Sequence, residues 1–169
     1  MFKPHDKVVY PGHGVAQIIR IITKRVAGKI TSFFELRFVH KEMTILVPVD
    51  NAIEVGIRSL CSHEYVHNLF KVLSEPYKPA LPEAIIANWN KRNKEYLGKI
   101  RSGDLREIGV IYRDLKHIEK HKKGELSFGE KSLLHQTESM LVQEIALVEN
   151  LPEEDATQYV RSLIGQQQA

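Results

Sequence analysis

Among its 169 residues the chain has a single cysteine, Cys61. An internal disulfide is thereby excluded, and a reducing, cytoplasmic setting is expected. No apolar run approaches the roughly 18 residues that would suggest a membrane span. The opening Met1-Phe2-Lys3-Pro4-His5-Asp6-Lys7 lacks the long apolar stretch of a signal peptide. There is no Gly-rich phosphate loop, no C-x-x-C pair, no internal repeat and no low-complexity tract. Neither P-loop chemistry nor dithiol redox chemistry is therefore indicated. Tryptophan is as scarce as cysteine, with Trp89 alone. What remains is 43% hydrophobic and 27% charged, the balance of a globular protein and not of a disordered one.

The net charge of +3 conceals a lengthwise imbalance. Residues 89–123 carry eleven cations against five acids, and residues 124–169 carry two against eight. Such asymmetry suits an oriented nucleic-acid binder, although ordinary helical surfaces also show it. Trp89 stands in the basic part, within Asn88-Trp89-Asn90-Lys91-Arg92-Asn93-Lys94. Cations beside a flat apolar ring can neutralise phosphates while the ring stacks on a base or wedges between base steps. The same residues suit an amphipathic helix with a core tryptophan and a solvated face. Composition leaves both readings open.

Residues 1–58 read as strands and residues 59–165 as helices, an α+β chain in two parts. Segments 7–10, 15–23, 31–39 and 43–49 are rich in Val, Ile, Phe and Thr. Turn residues punctuate them at Pro11-Gly12-His13-Gly14, around Gly28 and at His40-Lys41-Glu42. Short strands without intervening helices predict a small barrel or rolled sheet. From Ser62 onward the apolar period becomes helical and predicts about five helices in a compact bundle. Ser62 caps the first, and the second runs from Pro82 to about Gly103. Ser102 or Asp104 caps the third, Ser127-Phe128-Gly129-Glu130 is a capping box for the fourth, and Pro152 opens the fifth. Residues 166–169 read as a frayed tail.

His63-Glu64-Tyr65-Val66-His67 matches the H-E-x-x-H pattern of zinc proteases. Two histidines at i and i+4 share a helix face and can chelate a metal. A catalytic site requires a third ligand, and none is sequence-local, so no metal, cofactor or enzymatic activity is expected. A zinc-dependent hydrolase through His63, Glu64 and His67 stands as a minor alternative. His117 and His121 are also four apart, but lie among Lys116, Lys120, Lys122 and Lys123, where a further positive centre is disfavoured.

Several motifs occur in one order: Asp6-Lys7-Val8-Val9-Tyr10-Pro11-Gly12-His13-Gly14-Val15, Val47-Pro48-Val49-Asp50-Asn51-Ala52, Asn88-Trp89, Ser102-Gly103-Asp104, Arg113-Asp114-Leu115 and Leu126-Ser127-Phe128-Gly129-Glu130-Lys131. Over roughly residues 3–150 the chain resembles the CarD/CdnL family of bacterial transcription regulators. Its N-terminal part is similar to the RNA-polymerase-interacting domain of transcription-repair coupling factor. The resemblance implies a Tudor/SH3-like β-domain docking on the polymerase β subunit, and a helical domain that meets promoter DNA.

By the same resemblance, Trp89 wedges into the minor groove at the upstream edge of the melted bubble. Lys91 and Lys94 hold phosphates, with Arg92 assisting and Lys131 a further candidate. Lys24, Arg25 and Val26 match positions near the polymerase surface. Some relatives carry Arg before the Val-Pro pair, where this chain has Leu46; Arg37 could supply the missing contact. The expected protein is a monomeric, non-enzymatic regulator that stabilises the open promoter complex, cytoplasmic and nucleoid-associated through RNA polymerase. The alternative is a protein-interaction module without DNA contact.

Overall fold

The computed structural model describes residues 1–122 and 124–165. The chain divides into two compact units, Met1–Leu60 and Cys61–Ala169. The expected tail at 166–169 lies outside the described residues.

The first unit is an antiparallel sheet of five strands: β1 (Lys7–Tyr10), β2 (Gly14–Val26), β3 (Lys29–Phe38), β4 (Thr44–Pro48) and β5 (Arg58–Ser59). Their spatial order is β4-β3-β2-β1-β5. Alternation sorts the two faces. Val8, Ala16, Ile18, Phe34, Leu36, Phe38 and Val47 turn inward and form the core with Ala52 and Ile57. A bulge between Ile18 and Arg20 keeps Ile18 opposite Leu36 while setting Arg20 opposite Glu35. The β2–β3 hairpin closes on Ala27 and Gly28, both at positive φ, a conformation that suits the twist of a two-residue hairpin.

The expected small barrel or rolled sheet takes the form of a sheet that is not closed into a continuous ladder. Closure requires strands long enough to tilt and stagger into a continuous ladder. Here β5 has two residues and β1 has four. A 3-10 turn at Val49–Asn51 and a short helix, α1 (Ala52–Val55), follow β4 where strand character was expected to end.

Among the described residues the second unit has six helices: α2 (His63–Ser74), α3 (Glu83–Ile86), α4 (Trp89–Arg101), α5 (Leu105–His121), α6 (Phe128–Glu149) and α7 (Glu153–Gly165). Local chemistry sets their starts. Ser62 accepts from Tyr65 N at 3.0 Å, and Asp104 accepts from Arg106 N at 2.9 Å. At Ser127 both halves of the capping box are made. The helix expected from Pro82 to Gly103 is two helices, because Asn88 leaves helical geometry (φ −112°, ψ 113°) and restarts the chain as a cap. Leu69, Leu73, Ile108, Ile111, Leu115, Leu141 and Ile145 centre a shared core. Burying each such side chain is worth about 1.5–3 kcal/mol against leaving it in water.

Candidate nucleic-acid interface

The break at Asn88 decides where the tryptophan goes. Its side chain accepts from Lys91 N at 3.2 Å, so Trp89 becomes the first residue of α4. There the indole is partly buried, packed against the core edge without being enclosed by it. The Arg92 guanidinium lies over the ring, 4.9 Å from its centroid. On the α6 side the ring meets the backbone of Gly129. A Cβ at that position would stand 2.9 Å from Cζ2 of the indole.

A buried ionic network underlies this arrangement. Arg92 donates through Nη2 to Glu130 Oε2 at 2.7 Å and through Nη1 to the Ile86 carbonyl at 2.9 Å. Glu130 Oε1 accepts from Lys122 Nζ at 2.8 Å and from Ser127 N at 2.9 Å. Burial would raise the Glu130 carboxyl, but these donors, Lys122 foremost, outweigh it and hold the group down to about 2. One carboxylate thus caps α6, fixes the cation under the indole and joins α4 to α6.

A second buried carboxylate anchors α4 to α5. Asp114 is fully buried and accepts from Tyr96 Oη at 2.9 Å and from Ala80 N at 3.1 Å. Burial pushes the pKa of its carboxyl up, against the opposing pull of the hydrogen bonds from Tyr96 and Ala80. Its neighbour Arg113 donates to the Val72 carbonyl at 2.8 Å. The Arg113-Asp114-Leu115 motif is therefore scaffold for the helix that carries the tryptophan.

Lys91 and Lys94 are exposed on α4, and neither is held in an ion pair among the described residues. Lys131 is exposed on the first turn of α6 and pairs with Glu125 at 3.0 Å. Arg92 departs from expectation: at 7% exposure, with its donors turned to Glu130 and Ile86, it supports the ring and does not reach outward to phosphate. Sequence reasoning missed Phe128. This residue precedes Gly129 and is 88% exposed at the first position of α6. The signal was present, since the second position of a capping box projects from a helix start without obligatory packing.

In the sheet unit, Lys24, Arg25 and Val26 are exposed on the arm of the β2–β3 hairpin beyond the reach of β4, whose pairing ends at Phe33–Pro48. Arg37 and Leu46 share the outward face, in the registers Arg37–Thr44 and Glu35–Leu46. Leu46 is 38% exposed on an edge strand, and Glu35, opposite it, is engaged by Arg20 at 3.2 Å. His63 and His67 lie on α2, where the last residue of α6, Glu149, joins them; Glu64 is exposed. His117 stacks on Tyr77 at 3.7 Å. Burial and the neighbouring His121 lower its proton affinity. No helix among the described residues is long and apolar enough to cross a membrane.

Comparison with known proteins follows the same division. Residues 2–61 match the CarD-like/TRCF RID domain, and residues 68–161 match the CarD C-terminal domain. The Bacillus subtilis (strain 168) protein described as "Putative transcription factor YdeB" is 24% identical over 153 residues, covering 90% of this chain and 95% of that protein. The N-terminal domain of Myxococcus xanthus CarD, solved by NMR, is 30% identical over 35% of this chain and 79% of its own, with a TM-score of 0.31. CdnLNt from the same organism is 40% identical over 37% of this chain and 89% of its own, with a TM-score of 0.33. With both domain models matched in order along one chain, this protein belongs to the CarD/CdnL family: a non-enzymatic transcription factor with an RNA-polymerase-interacting domain at its N-terminal end.

Proposed function

We propose that the protein docks on the RNA polymerase β subunit through its sheet and stabilises the open promoter complex through Trp89. The observation that carries this reading is the state of the indole. It is partly exposed at a helix start, backed by a buried arginine, and flanked by exposed Lys91 and Lys94. A ring so held is ready to enter a distorted minor groove at the upstream bubble edge, while the lysines take the adjoining phosphates. Intact duplex offers no comparable gap. Binding therefore favours the open state over the closed one and shifts a population without chemistry. Lys131 can release Glu125 for a phosphate, because an exposed ion pair is worth at most about 1 kcal/mol. Phe128, exposed at the residue before Gly129, offers a second apolar ring to the same partner.

On the polymerase side, the face bearing Arg37 and Leu46 and the hairpin arm of Lys24, Arg25 and Val26 form the docking surface. The edge of β4 can accept a strand from the partner. The protein acts as a cytoplasmic monomer, held at the nucleoid by the polymerase, and needs no cofactor for this role.

The test is a promoter-opening assay with the matched polymerase, comparing wild type with Trp89→Ala. Stacking of one base on one aromatic ring is worth about 1–3 kcal/mol, so open-complex lifetime should fall by roughly 5- to 150-fold. Polymerase binding and thermal unfolding should stay near wild type, and Phe128→Ala should shorten the lifetime less. A Trp89→Ala protein that unfolds would return the indole to the core; one that folds and still extends the lifetime would leave a protein-interaction module without DNA contact.

A further inference from the structure

We propose that His63, His67 and Glu149 form a transition-metal site, suited to Zn²⁺, that clamps the start of α2 to the end of α6. The inference stands independently of the reading of Trp89. His63 and His67 lie one turn apart on α2 with ring centroids separated by 4.0 Å. Glu149 is the last residue of α6, 82 positions beyond His67, and only 13% of its side chain is exposed. Its two oxygens face different imidazoles: Oε1 stands 2.9 Å from His63 Nδ1, and Oε2 stands 3.2 Å from His67 Nε2. One donor atom from each of the three residues lies within 4.8 Å of the others.

These spacings put three donor atoms close enough to converge on one ion. Zinc bonds of about 2.0–2.2 Å to nitrogen and oxygen, arranged tetrahedrally, place ligand atoms roughly 3.3–3.5 Å apart. The two imidazole–carboxylate distances, 2.9 and 3.2 Å, are a little shorter than this and the set as a whole spans up to 4.8 Å, so rotation of the exposed imidazoles and of the carboxylate is needed to even the shell. The state of Oε1 supports it further. This oxygen is buried and makes no hydrogen bond, although an imidazole nitrogen is 2.9 Å away. A hydrogen bond needs N–H aimed at oxygen. A metal uses lone pairs on both atoms and no N–H, so a close but misaligned nitrogen and oxygen leave those lone pairs available to an ion.

Two neutral imidazoles and a carboxylate make a donor set that zinc accepts, with the fourth position left to water. With His63 66% and His67 51% exposed, an ion can enter from solvent. The site's role is structural. It would tie together two helix ends that the chain brings near each other from distant positions, and so stabilise the helical unit by mass action.

The experiment is calorimetric titration of ZnCl₂ into untagged, chelator-stripped full chain, with thermal melting in parallel. One equivalent should bind, and the melting temperature should rise with zinc. Loss of an outer-shell partner weakens a metal site roughly 10–100-fold, so loss of a direct ligand in His67→Ala or Glu149→Gln should weaken it by at least the upper figure. Both variants should melt near wild type without metal, because His67 is exposed and Gln preserves the volume of Glu149. His117→Ala removes one of the other close histidine pair (4.3 Å from His121) and should bind zinc as wild type does. Absence of stoichiometric binding, equal binding by wild type, His67→Ala and Glu149→Gln, or loss through His117→Ala instead would overturn the site.

Discussion

The Trp89 indole rests on the backbone of Gly129, and no side chain fits between them: a Cβ there would meet the ring at 2.9 Å. Gly129→Ala should therefore displace the indole from its seat. The ring is partly exposed and can give way, and alanine favours a helix by up to about 1 kcal/mol over glycine, so the melting temperature should hold or rise. Promoter-opening activity should fall toward that of Trp89→Ala. A folded Gly129→Ala protein with full activity would show that the ring's seat is irrelevant.

Glu130 should be worth more than a surface acid. Glu130→Gln leaves Arg92 buried without its counter-charge, and breaking such a pair costs about 3 kcal/mol or more. Urea unfolding would show this as a lower midpoint at unchanged slope. The acid limb follows from the same group. Its native carboxyl is held down to about 2, against an ordinary value of 4.5. The stabilisation is thus fully present above about pH 4.5 and is lost as pH falls toward 2. Glu130→Gln should flatten that limb of the stability profile; an unchanged limb would assign it to other carboxylates.

Lys91→Ala and Lys94→Ala should weaken promoter binding and make it less sensitive to salt. Each phosphate contact removed lowers the slope of log affinity against log salt by about 0.9. Salt titrations that run parallel to wild type would exclude phosphate contacts by these two lysines.

Leu46→Arg should strengthen polymerase docking. The position is exposed on edge strand β4, and a cation there would stand opposite Glu35, which Arg20 already engages. The cost to folding should stay within about 0.5 kcal/mol, as for most surface changes. An affinity for the β subunit unchanged by Leu46→Arg would place the docking contact elsewhere on the sheet.

What the sequence revealed was what short-range chemistry decides. Gly28 marked a hairpin tip because only a few residue types accept positive φ in a two-residue turn. Ser127 and Glu130 marked a helix start because the capping box is closed within four residues. What it hid depends on residues far apart in the chain. Glu130 was legible as a cap, yet its pairing with Arg92, 38 positions earlier, was not; hence Arg92 was expected at phosphate. Glu149 was invisible as a companion of His63 and His67, since only the packing of α2 on α6 brings it there. Asn88 was overlooked for another reason. The apolar spacing of Ile85, Ile86, Trp89 and Tyr96 continues smoothly across it, and periodicity does not register a cap that interrupts a helix without changing its face.

Trp89 and Phe128 are the opening residues of two helices, and the indole of one touches the second residue of the other. The two helix dipoles, and the first-turn amides that the caps at Asn88 and Ser127 do not reach, therefore give this surface partial positive charge from the main chain itself. That contribution belongs to the backbone and does not depend on any lysine. Stripping every cation from the rim should thus leave a residual pull on anions, one that only unwinding a helix could remove.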